Sequence, residues 1–113
     1  MHIVESLKGR IEISLKKNLE HIRLTSERKG HQRMTIETKK NLDKEKFDRV
    51  VQDCFKKKGF NILLIGGEGS SSFAAIHGEE QEKLVVTVSF PIICNGLPNT
   101  APFYTFITVQ KVD

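Results

Sequence analysis

The sequence predicts an α+β domain built on antiparallel sheet, in the order three strands, one helix, four strands. Two patterns carry that reading. Apolar residues alternate with a period of two through 10–39, as half-buried strands do, and four apolar segments separated by turn residues follow after residue 60. Between those stretches, apolar residues in 43–58 recur at helical spacing. A chain of 113 residues and 12.8 kDa has room for one domain, 1–113, with one core.

Residues 1–8 fit either a short strand or a helical turn. The first meander is read from Ile11, Ile13 and Leu15, then Ile22 and Leu24, then Met34 and Ile36. Turn chemistry at Lys17-Asn18 and at Lys29-Gly30-His31 separates the three. The alternate positions Arg10, Glu12, His21, Arg23, Thr35 and Glu37 are polar and should face water, with Glu12 and Glu37 paired to arginines across strands.

The helix over 43–58 buries Phe47, Val50, Val51, Cys54 and Phe55 and is expected to pack on one sheet face. Asp43 is placed to cap its first N–H groups, with Leu42 before it able to staple onto Phe47. Gly59 suits a left-handed ending, Phe60 should touch Phe55, and Lys56, Lys57 and Lys58 sit where the helix dipole favours cations.

Four further strands follow at 61–66, 72–77, 83–90 and 103–112. Their connections are the hairpin-compatible turns 66–70 and 78–80 and the longer loop 91–101, with Pro91 ending its strand. Ile62, Leu63, Leu64 and Ile65 are apolar on both faces, and so in part is 103–112. One helix covers one face only. The other face then needs the amino-terminal meander folded over it, or a second chain, and Leu63, Ile65, Tyr104 and Phe106 are the residues expected to self-associate.

Charge divides sharply along the chain. Residues 1–59 hold 16 Lys/Arg against 9 Asp/Glu, net +7, and residues 60–113 hold 2 against 5, net −3. In a meander, successive turns lie at opposite ends, which sets Lys16 and Lys17 beside Lys39 and Lys40 and puts Arg28, Lys29 and Arg33 at the other end. A helix of about 22 Å would return Lys56, Lys57 and Lys58 toward that second group. Six converging cations suit a phosphate backbone or an acidic protein, although surface charge is more often simply solvated. Base-specific reading is disfavoured, since Phe47 and Phe55, the aromatics nearest the basic half, belong to the core stripe.

Other chemistry has thin support. The loop Gly66-Gly67-Glu68-Gly69-Ser70 lacks the Gly-Lys-Ser/Thr ending of a phosphate-binding loop and carries a glutamate, so it reads as a turn. Ser70, Ser71 and Ser72 have no strained elbow or orienting acid to make a nucleophile with His77, which reads as a strand end. Glu79 and Glu80 sit in an exposed turn. His2, His21, His31, His77, Cys54 and Cys94 show no metal-ligand spacing, and no cofactor or metal is expected. A pocket under 91–101, lined by Cys94, Asn95, Asn99 and Tyr104, rests on loop length alone.

The amino end lacks the ~7–15-residue apolar stretch of a secretory signal, and the run from Leu84 to Cys94 is about half the length of a membrane-spanning helix. Cys54 and Cys94 read as cytosolic thiols, with a disulfide between them left open. The expectation is a cytoplasmic, non-enzymatic interaction module that engages an acidic protein or a nucleic-acid backbone through its basic edge. The alternative is a self-assembling, homo-oligomeric structural protein that uses its apolar carboxy-terminal sheet.

Overall fold

The structure, a computed structural model, describes residues 2–66, 70–90 and 102–112. It is α+β, with helix α1 (His2–Leu15), strands β1 (Leu19–Arg28) and β2 (His31–Thr38), helix α2 (Lys44–Lys57), then β3 (Phe60–Leu64), β4 (Ser70–His77), β5 (Glu82–Ser89) and β6 (Phe103–Lys111). Among the described residues, six strands form one antiparallel sheet in the order β1-β2-β6-β5-β4-β3.

The strand expected over 10–15 is instead the end of α1. Ile11 and Leu15 satisfy a period of two, but they also satisfy the i, i+4 step. Ile3, Val4, Leu7 and Ile11 extend that stripe upstream and are all buried, whereas Ile13, which only the strand reading needs, is 65% exposed. Arg10 and Glu12 are therefore helical, so the cross-strand pairing expected of Glu12 does not form. The helix ends at Lys16, whose φ of 44° places it in the left-handed region, and a short 3-10 turn over Lys16–Asn18 leads into β1.

The second helix follows its sequence signals closely. Asp43 accepts the Lys46 N–H at 3.2 Å, and Gly59, at φ 93°, sends its N–H to the Lys56 carbonyl at 3.1 Å. The Phe55 and Phe60 rings meet edge to face at 5.5 Å. Phe47, Val51, Cys54 and Phe55 are buried.

The path of α2 explains the strand order. It leaves the end of β2, crosses one sheet face and delivers the chain to the far edge, from which β3, β4, β5 and β6 return strand by strand until β6 pairs with β2. The two expected meanders thus merge edge to edge. The amino-terminal strands extend the sheet and do not fold over it. Both helices contact each other on the same face, above a core that includes Met34, Ile36, Phe73, Leu84, Val86, Val88, Ile107 and Val109. A two-helix layer replaces the single helix expected there.

Candidate interaction surfaces

Two ends of the sheet gather cations, and only one keeps them together. Arg28 and Lys29 lie at the β1–β2 turn, while Lys56, Lys57 and Lys58 close α2 beside β3. They share an end of the sheet but belong to opposite edges, five strand spacings or about 24 Å apart. Between them, Lys58 and Lys111 share the lining of a cleft of about 360 Å³ with Glu80 and Glu82. Arg33 is directed elsewhere, its guanidinium carbon 4.2 Å from the centre of the Phe106 ring. The convergence of six cations expected from the sequence is therefore corrected: the diagonal course of α2 separates the two groups, and carboxylates intervene.

At the other end the backbone draws lysines together. The Lys39 N–H donates to the Asn18 carbonyl at 2.9 Å, and the Lys40 N–H donates to Asn18 Oδ1 at 2.7 Å. Asn18 Nδ2 returns a longer bond to the Lys40 carbonyl at 3.5 Å, and Thr38 Oγ1 donates to the same carbonyl at 2.8 Å. Lys16, Lys17, Lys39 and Lys40, all exposed, are thereby fixed on adjoining segments, with Lys44 and Lys46 following on the first turn of α2. Glu20 takes a surface contact of 3.9 Å from Lys39 and Asp43 is occupied as the helix cap. A surface ion pair of that length neutralises little.

The sheet face opposite the helices carries a second feature. Leu63, Ile65, Tyr104 and Phe106 all fall on it by register, three strands apart. Tyr104 donates to Glu37 Oε1 at 3.3 Å and Phe106 is half-buried under Arg33, so β2 already engages both aromatics. Leu63 and Ile65 have no such cover among the described residues and are 63% and 58% exposed. Leu64, on the helix side of the sheet, is also 65% exposed, because α2 meets β3 at its Phe60 end and leaves the opposite corner bare. Leu64 is not among the residues the sequence marks for self-association, since one helix is expected to cover one whole sheet face.

His77 ends β4 and accepts the Glu80 N–H through Nδ1 at 3.2 Å, with its ring edge-on to Phe60 at 5.1 Å. The cleft it borders places Lys58 and Lys111 opposite Glu80 and Glu82, a nearly balanced lining. Among the described residues, no three His, Cys, Asp or Glu side chains gather as a metal site.

Two titratable groups of α2 are drawn into the protein. Burial pushes the Asp48 carboxyl above its ordinary range, partly offset by a hydrogen bond with Ser71, and its Oδ1 is buried without a partner. Burial likewise pushes the Cys54 thiol up, against the pull of Arg10, Lys58 and Lys57. Cys54 is a buried free thiol, which suits a packing role. Cys94, Asn95, Asn99 and Pro91 lie outside the described residues, as does most of the turn after Gly66. No helix among the described residues is long and apolar enough to cross a membrane. Set against family models, curated proteins and solved structures, the chain finds no match in any of the three.

Proposed function

We propose that this protein is a non-enzymatic interaction module that engages a polyanion, a nucleic-acid backbone in preference to an acidic protein, through its lysine-rich end. The observation that carries this reading is the grip of Asn18 on Lys39 and Lys40, which fixes four exposed lysines on two chain segments. Lysines held on a rigid frame lose less freedom on binding than the same charges on a loose tail. Their chemistry suits phosphate: each is a point charge without the planar fork that reads a particular carboxylate or base edge. Recognition by charge alone follows, with affinity drawn from counterion release. The basic edge inferred from sequence is retained in kind and relocated, from Arg28, Lys29, Arg33 and Lys56–Lys58 to Lys16, Lys17, Lys39 and Lys40.

Fluorescence anisotropy with single- and double-stranded oligonucleotides across ~50–200 mM salt tests the reading. Replacing Lys16, Lys17, Lys39 and Lys40 with Gln should reduce the slope of log affinity against log salt on duplex DNA by about 3 to 4, near 0.9 per lost phosphate contact. Replacing Lys56, Lys57 and Lys58 should change it much less. Equal effects from the two sets, or wild-type protein that binds neither oligonucleotide, would sink the proposal. Binding to a polyglutamate chain alone would redirect it to an acidic protein.

A further inference from the structure

The two edges of the sheet are built differently. β1 carries Glu20, His21, Arg23, Glu27 and Arg28 and has register irregularities between Leu19 and His21 and between Ser26 and Arg28. Charges and bulges of this kind stop a second strand from pairing with an edge. β3 has neither. From Phe60 to Gly66 the chain has no charged residue and no proline, its pairing with β4 is regular, and Leu63, Leu64 and Ile65 are each more than half exposed.

Main-chain polarity along β3 follows from its register. The Ile65 N–H donates to the Ser72 carbonyl at 3.0 Å. Hydrogen-bonded and non-hydrogen-bonded pairs alternate in an antiparallel ladder, so Leu63 and Asn61 also bond toward β4. Ile62 and Leu64 then aim their N–H and C=O groups at the outer edge, where no strand lies among the described residues.

We propose that β3 is a dimerisation edge that pairs antiparallel with β3 of a second copy, about a two-fold axis at Leu63. Ile62 of each chain then exchanges two main-chain hydrogen bonds with Leu64 of the other, making four in all and one continuous twelve-stranded sheet. The two Leu63 side chains meet across the axis in a non-hydrogen-bonded pair, where opposing side chains approach closest. Each Leu64 packs beside Ile62 of the other copy, and each Ile65 beside Asn61. An antiparallel edge is complementary to itself, as a two-fold interface requires.

Charge selects this arrangement. Phe60, where the strand begins after the Lys56–Lys58 run, lies three residues from Leu63, about 10 Å at ~3.4 Å per residue, so the axis holds the two strand entrances about 20 Å apart, beyond the ~8–10 Å screening length. Parallel pairing would set the two lysine runs side by side. A second copy also carries the same uncharged apolar segment, whereas β1 offers this edge a charged strand.

Light scattering on the full chain across a concentration series is the first test, with twice the 12.8 kDa chain mass expected at low and high salt alike. Leu63→Lys should give a monomer with unchanged circular dichroism, because Leu63 is exposed within one chain. Ile13→Lys, an equally exposed site on α1, should leave the dimer intact. The register is tested by oxidation in a Cys94→Ser background: Leu63→Cys should cross-link to itself readily and Asn61→Cys should not. A wild-type monomer at high micromolar concentration, a dimer that survives Leu63→Lys, or equal cross-linking at 61 and 63 overturns the proposal. So does a monomer that Leu63→Lys unfolds, which would mean that the chain's own residues cover this edge.

Discussion

Asn18 holds the main chain of Lys40 from both sides, its Oδ1 taking the Lys40 N–H at 2.7 Å while its Nδ2 reaches the Lys40 carbonyl at 3.5 Å. The contact spans 22 residues and ties the entrance of β1 to the exit of β2. Asn18→Ala removes both bonds and leaves all four neighbouring lysines in place. We expect a loss of about 1 kcal/mol in urea unfolding, typical of one net hydrogen bond. Oligonucleotide affinity should fall at the same time with little change in its salt slope, since charge is kept and only its placement is loosened.

Lys16 occupies the left-handed region at φ 44°, a conformation that costs a side-chain-bearing residue about 1 kcal/mol or more. Lys16→Gly should raise stability by ~0.5–1 kcal/mol through relief of that conformation. It should also lower affinity for the oligonucleotide by removing one cation. A thermal melt and an anisotropy titration on the same variant separate the two roles, and a rise in both quantities would contradict the placement of Lys16 in the binding end.

Gly59 and His77 are matched in shape. A Cβ on residue 59 would stand 2.8 Å from His77 Nε2, and φ there is 93°. Gly59→Ala should therefore cost about 1–3 kcal/mol, part from the backbone and part from the imidazole. Adding His77→Ala to Gly59→Ala should recover the steric part and not the backbone part. A double-mutant cycle by chemical unfolding reads this directly, and strictly additive effects would remove the steric coupling.

Asp48 supplies the pH dependence. Because burial raises its native pKa, the folded chain binds its proton more tightly than the unfolded chain does. Stability from this group falls as pH rises from the ordinary carboxylate value of 3.8 through the raised native value, and stays lower at neutrality. Asp48→Asn should be more stable than the wild type at pH 7, with the gain fading as pH drops below 3.8. Melts of both proteins from pH 3 to 7 check the sign, and a gain that grew on acidification would contradict it.

Local signals were legible where one period or one cap decided the outcome. Asp43, Gly59 and the 47-51-54-55 stripe mark α2, the strands from 19 to 38 follow alternation and turn chemistry, and those after 60 follow apolar runs between turns. Lys16 and Lys17 were correctly placed beside Lys39 and Lys40, because consecutive antiparallel strands fix which turns share an end. The end of α1 looks like a strand in sequence because Ile11 and Leu15 fit two periods at once, and a six-residue window cannot separate them.

By itself the sequence determined the composition of each element, the cap and stop of α2, and the absence of charge along β3. Only the tertiary structure decided which elements became neighbours. The diagonal passage of α2 sent β3 to the far edge, parted Lys56–Lys58 from Lys29, and left Leu64 uncovered at one corner. Periodicity is set within a few residues of the chain, whereas strand order depends on how two helices and six strands share one buried face, a sum over contacts that no local pattern encodes.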